Sequence, residues 1–159
     1  ALAGQHVLDV FAGSGAMGFE ALSRGAASLT LLERDPQQAA CLREQAAKLE
    51  AASCQVLCVD SLRWLQDAQA PAAGYGLIFL DPPFHLGVVD EILQRLAQKG
   101  WFAQTRWVYV ETELALTALN VPIELQLHRQ TKAGLVNAFL FRCDAPSNPK
   151  VVEFEHDTL

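Results

Sequence analysis

The sequence predicts an α/β domain: a doubly wound, mostly parallel seven-stranded sheet with helices on both faces and an antiparallel hairpin at its C-terminal end. Three observations predict it. Apolar runs of strand length alternate with amphipathic helical stretches five times along the chain, the pattern of a parallel sheet. The first run passes directly into a glycine-rich turn, Ala12-Gly13-Ser14-Gly15. The last two runs, 123–129 and 135–141, can pair across Lys132-Ala133-Gly134 as a hairpin.

Each element has its own justification. Residues 6–11 form the first strand. Residues 16–24 form a helix with Met17, Phe19 and Leu22 apolar and Gly25 as its stop, because glycine tolerates the left-handed turn that ends a helix. Residues 28–32 are a strand ending at Glu33. Asp35 is an N-cap with Pro36 at the first helical position, where a missing N–H costs nothing. That helix runs to about residue 50 and turns Ala39, Leu42, Ala46 and Leu49 inward. A third strand, 55–59, ends at Asp60, and Ser61 caps a helix through 65. After a loop at 71–76 comes the strand 77–80, then a helix at 88–98 with Ile92, Leu93 and Leu96 inward and Gly100 behind it. The strand 107–110 ends at Glu111, and a short helix at 114–119 precedes the hairpin. Pro146, Ser147, Asn148 and Pro149 end regular structure, so residues 1–143 are read as the domain and 144–159 as a peripheral or disordered tail.

Length and charge bound the function. At 159 residues the chain can bury one good core. No apolar run is long enough for a membrane span, and the first residues do not resemble a signal peptide. The first strand starts within a few residues of Ala1, so a further segment is expected upstream. Cys41, Cys54, Cys58 and Cys143 lack paired metal-site spacing, and a domain of this size has no need of disulfides. They read as buried free thiols in a reducing cytoplasm. The formal net charge of −6 argues against a general nucleic-acid binder. Any such contact must be a local patch or rely on something outside this chain.

The most informative stretch is Leu77-Ile78-Phe79-Leu80-Asp81-Pro82-Pro83-Phe84. Four large apolar residues read as a strand buried on both faces. Two prolines, which cannot donate to a ladder, then end it and hold Asp81 and Pro82 in extended geometry. A carboxylate, a free carbonyl and an aromatic ring thus share one stiff turn at the carboxyl end of a strand, where open α/β sheets bind ligands. Asp9, Glu33 and Asp60 stand at or near the ends of the first three strands and belong to the same edge. Gly13-x-Gly15-x-x-Gly18 with Glu33 twenty residues after Gly13 satisfies the dinucleotide fingerprint. Asp9, beside that turn, opposes a pyrophosphate and suits a cationic ligand.

The series Asp9-Val10-Phe11-Ala12-Gly13-Ser14-Gly15, Glu33, Asp60 and Asp81-Pro82-Pro83-Phe84 resembles the motifs of class I S-adenosylmethionine-dependent methyltransferases, which have a Rossmann-like fold. The D/N-P-P-aromatic tetrad marks those that methylate exocyclic amines. More closely, the blocks around 8–26 and 77–84 resemble the RsmD family, and the likeness spans roughly residues 5–142. That resemblance implies methyl transfer to the N2 amine of a guanine in bacterial 16S rRNA. It further implies an assembled small ribosomal subunit as substrate and a monomeric, cytoplasmic, metal-free enzyme. The turn from Phe11 through Ala12, Gly13 and Ser14 to Gly15 would hold the methionine part of S-adenosylmethionine, with Asp9 nearby. Glu33 would accept from the ribose hydroxyls, and Asp60 with Ser61 would meet the adenine.

An exocyclic amine is a poor nucleophile because its lone pair is delocalised into the ring. Two acceptors aimed at its N–H bonds, the Asp81 carboxylate and the Pro82 carbonyl, favour pyramidalising the nitrogen. Pro83 stiffens the turn, and Phe84 would stack on a base extruded from its helix. His85, Arg129 and Lys132 are the further substrate contacts expected. RsmD-like proteins carry a stretch rich in basic and hydroxyl residues before the first strand, which this sequence does not contain. Competing readings are an adenine-N6 methyltransferase with the same tetrad, an NAD-dependent oxidoreductase resting on the glycine fingerprint, and a non-catalytic binding module if the upstream segment is essential.

Overall fold

A computed structural model describes residues 2–83 and 87–143. The tail assigned to 144–159 lies outside them. Seven strands form one sheet: β1 (His6–Asp9), β2 (Ser28–Glu33), β3 (Cys54–Cys58), β4 (Leu77–Leu80), β5 (Trp107–Thr112), β6 (Leu125–Ala133) and β7 (Val136–Cys143). Their spatial order is β3-β2-β1-β4-β5-β7-β6. The first five run parallel, and β7 joins β5 antiparallel with β6 on its outer side. The order reverses between β1 and β4, which pair directly. That reversal opens the crevice in which such sheets hold ligands.

Among the described residues four helices cover the sheet: α1 (Ala16–Ser23), α2 (Pro36–Lys48), α3 (Ser61–Asp67) and α4 (Val89–Gln98). Alternate residues of the strands feed two cores. Val7, Leu29, Leu31 and Leu77 pack with Phe19, Ala39 and Leu42 of α1 and α2. Leu8, Leu32, Ile78 and Leu80 pack with Leu65, Ile92, Leu93 and Leu96 of α3 and α4. Strands apolar at every position are therefore buried on both faces, as the sequence predicts for β4. Among the described residues no helix is long and apolar enough to cross a membrane.

Several expectations need correcting. β1 ends at Asp9 rather than Phe11, because the Phe11 N–H turns back to the Asp9 carboxylate. The cap of α3 is Asp60, whose carboxylate accepts from the Arg63 N–H at 3.1 Å; Ser61 is the first helical residue. Leu49 sits at the C-cap of α2 and is 57% exposed, since the helix has already turned it off the inner stripe. The expected helix at 114–119 is a single 3-10 turn, Leu116–Ala118. Another 3-10 turn at Trp101–Gln104 was not read from the sequence. The hairpin register is shifted: β6 starts at Leu125, Ile123 is 92% exposed, and the strands turn tightly at Gly134-Leu135. The expected burial of all four cysteines does not hold: Cys143 is buried, Cys54 is half-buried, and Cys41 and Cys58 are exposed.

Candidate active site

Hydrogen bonds across the crevice fix the glycine-rich turn. The Val10 N–H donates to the Phe79 carbonyl at 3.0 Å and the Ala12 N–H to the Leu32 carbonyl at 2.9 Å. The end of β1 is thereby tied to β4 on one side and β2 on the other. Gly13 and Gly15 have φ of +54° and +79°, a region that side chains strain to enter. A Cβ on Gly15 would stand 2.6 Å from the Phe19 ring and 2.8 Å from Leu42, so only glycine lets the turn lie against α1. Gly13 faces open space.

Glu33 braces this turn. One carboxylate oxygen accepts from the Gly13 N–H at 3.2 Å and the other from the Asp35 N–H at 2.9 Å. Gln38 of α2 donates to the Gly13 carbonyl at 2.6 Å. Ser61, buried, donates its hydroxyl to the Val10 carbonyl, so that hydroxyl positions the end of β1. The Ser14 hydroxyl accepts from the Ala16 N–H at 3.3 Å.

Asp9 lies beneath the turn, 1% exposed. Burial, partly offset by the Phe11 N–H, and then the charges of Asp81 and Glu33 push its carboxyl up to about 8. Burial also raises Asp81, to about 6, helped by the neighbouring charge of Glu111 and a hydrogen bond between the two carboxyls. Such a hydrogen bond favours the protonated form, and the like charge acts in the same direction.

These groups line a cleft of about 900 Å³ at the carboxyl ends of the strands. The structure brings Phe11, Gly13, Glu33, Asp60, Ser61, Asp81, Pro82 and Pro83 to it, with Asp9 directly below. Ala12, Ser14 and Gly15 complete the turn. Phe84 and His85 lie outside the described residues. Arg129 and Lys132 do not line the cleft; they are exposed on β6, the outer strand of the hairpin. Glu111 and Tyr109 are a contact that sequence reasoning did not nominate. The sequence carries a signal for it: Glu111 follows the apolar run 107–110 as Glu33 follows 28–32.

Among the described residues the lining carries five carboxylates, from Glu33, Asp35, Asp60, Asp81 and Glu111, against the one guanidinium of Arg34. A cleft of that charge suits a cationic ligand and opposes a pyrophosphate. The residues therefore fit a sulfonium-bearing nucleoside, with the open backbone at Gly13 free to approach it.

Comparison with known proteins agrees with this geometry. The family model described as Conserved hypothetical protein 95 matches residues 1–142. Ribosomal RNA small subunit methyltransferase D of Escherichia coli is 38% identical over 138 residues, 87% of this chain and 68% of that protein. The solved "Putative methyltransferase yhhF" from Escherichia coli superposes with a TM-score of 0.82 at 36% identity, covering 91% of this chain and 78% of that one. At 15% identity, a "putative methyltransferase complexed with SAH" shares the fold with a TM-score of 0.71, over 89% of this chain and 46% of the other. With its fold, its acidic cleft and these likenesses in agreement, the chain belongs to the RsmD family of methyltransferases.

Proposed function

We propose that this chain is an S-adenosylmethionine-dependent rRNA methyltransferase acting on the exocyclic N2 amine of a guanine in 16S rRNA. In this reading it works as a monomer on an assembled small-subunit particle in the cytoplasm. One observation carries the proposal: Asp81-Pro82-Pro83, stiff at the end of β4, opens into the same acidic cleft as the Gly13–Gly15 turn. A nicotinamide dinucleotide would bring its pyrophosphate into that field, and it leaves Asp81-Pro82-Pro83 without a role.

S-adenosylmethionine supplies an already activated methyl group, so the protein's task is alignment and field. Phe11 and the Gly13–Gly15 turn hold the methionine part, and Asp9 lies buried below it, its carboxyl protonated near neutral pH in the ligand-free protein. Glu33, its orientation set by the Gly13 and Asp35 amides, keeps lone pairs for the ribose hydroxyls. Asp60 and the main chain at Ser61 border the adenine. The Asp81 carboxylate and the Pro82 carbonyl accept the two N–H bonds of the amine and localise its lone pair. Phe84 is the ring assigned to stack on the base, and His85 a further substrate contact.

The test offers labelled S-adenosylmethionine with small ribosomal subunits, free 16S rRNA and duplex DNA, followed by digestion to nucleosides. Label is expected in N2-methylguanosine, most from the subunits, and Asp81→Ala should abolish it while leaving S-adenosylhomocysteine affinity within about twofold. Label in N6-methyladenine would overturn the substrate. Wild-type turnover by Asp81→Ala would overturn the mechanism.

A further inference from the structure

The register of the sheet places a second carboxyl beside the proposed acceptor. β4 and β5 pair Phe79 with Tyr109 and Leu80 with Val110. Continuing one step sets Asp81 opposite Glu111, on the face that already holds Phe79 and Tyr109, whose rings meet edge-on at 5.9 Å. The Tyr109 hydroxyl donates to Glu111 Oε1 at 2.7 Å. Glu111 and Asp81 both line the cleft, and their carboxyls are close enough to hydrogen-bond.

We propose that Glu111, steadied by Tyr109, is a positioning residue that orients the Asp81 carboxylate and makes it the proton acceptor for the reacting amine. The inference rests on the proposed methyl transfer and goes beyond it. As the N–C bond forms and the sulfonium–methyl bond breaks with its electron pair left on sulfur, the amine nitrogen becomes cationic. One N–H proton then passes to an Asp81 oxygen and from there to solvent. An isolated, solvated aspartate is a weak base for that step. A second carboxylate alongside holds the proton more firmly at Asp81, because protonation relieves the repulsion and creates a hydrogen bond between the two. The Tyr109 hydroxyl, as a donor to Glu111, fixes its rotamer. Asp9 from β1 faces Asp81, and Glu33 from β2 faces Asp9 in turn. From β7 the register partner of Glu111 is Ala138, which carries no charge.

The experiment compares wild type with Glu111→Gln and Tyr109→Phe. The Asp81 carboxyl is titrated by carbon-13 NMR in the ligand-free proteins, assigned against Asp81→Asn, and the pH profile of turnover is recorded alongside. Glu111→Gln is expected to lower the Asp81 midpoint by about one pH unit, move the acid limb of kcat down with it, and reduce kcat with KM for RNA nearly unchanged. Glu111→Asp should restore part of the midpoint, and Tyr109→Phe should give a smaller change in the same direction. An Asp81 midpoint unmoved by Glu111→Gln overturns the proposal whatever happens to activity. A lowered midpoint with an unchanged acid limb and kcat overturns it too, leaving Glu111 only structural. Should the wild type methylate no nucleic acid while the midpoint still moves, the functional reading fails and the coupling of the two carboxyls stands.

Discussion

Asp9 shows how one residue links stability to the ligand the cleft is built for. Its carboxyl is buried and held at about 8 instead of 3.8, so between those values the folded state binds a proton that the unfolded chain has lost. Stability from this group is therefore greatest at low pH and falls as pH rises toward 8, by about 1.4 kcal/mol per pH unit. Asparagine at this position cannot titrate. Urea unfolding of wild type and Asp9→Asn should show wild type losing about 2–3 kcal/mol more than the variant between pH 6 and 8; parallel curves would mean that Asp9 is already ionised at pH 6. The burial that makes this prediction was only partly legible in the sequence. Asp9 can be read as an acid near a strand end, but its depth follows from β1 being the central strand at the crossover. Glu111 can likewise be read as an acid near a strand end, but its contact with Asp81 depends on which strand neighbours β4, and local sequence does not state strand order.

At the scale of elements, β1, its turn and α1 behave as one unit held together by close approach. Gly18 lies inside α1, where glycine is otherwise unfavourable. A Cβ there would come within 2.8 Å of Leu29 and 2.9 Å of Leu31, so the helix rests directly on β2. Gly15 adds a positive φ and a contact with Phe19. Gly18→Ala should destabilise the fold by about 1–3 kcal/mol through overpacking and leave the turn in place. Gly15→Ala should cost a similar amount in stability and in addition weaken S-adenosylhomocysteine binding at least tenfold, because it displaces the turn itself. Thermal unfolding and calorimetric titration of both variants separate these outcomes. Equal ligand affinity in the two would mean that the turn does not touch the ligand. Periodicity and punctuation made these elements readable: apolar runs marked the strands, and Asp35-Pro36, Gly25 and Gly100 marked helix ends. The misreadings cluster where local rules compete. Asp60 and Ser61 are both good caps, and the hairpin register slipped because β6, an edge strand, carries mostly exposed residues and so has little apolar pattern to fix it.

Across the whole molecule, a net charge of −6 and an acidic cleft must be reconciled with a polyanionic substrate. The sheet offers one solution. Thr112, at the carboxyl end of β5, pairs with Asn137, and Asn137 pairs with Lys132. Lys132 therefore reaches the same edge of the sheet as Asp81, about 10 Å beyond β5 across two strand spacings. Arg129 pairs with Leu140, which pairs with Tyr109, and so lies about 10 Å farther down from that edge. A phosphate near the reacting base would meet Lys132 first, while the acids stay with the cationic ligand. Lys132→Glu should lower kcat/KM for the ribosomal substrate about tenfold and make the slope of log affinity against log salt shallower by roughly one. Arg129→Glu should do less on both measures, and neither should change S-adenosylhomocysteine affinity. The edge position of β6 leaves both substitutions harmless to folding, so thermal unfolding should match wild type. If instead Arg129→Glu proves the more damaging, the RNA crosses the face of the hairpin rather than its tip, and the base enters the cleft from the β5 side.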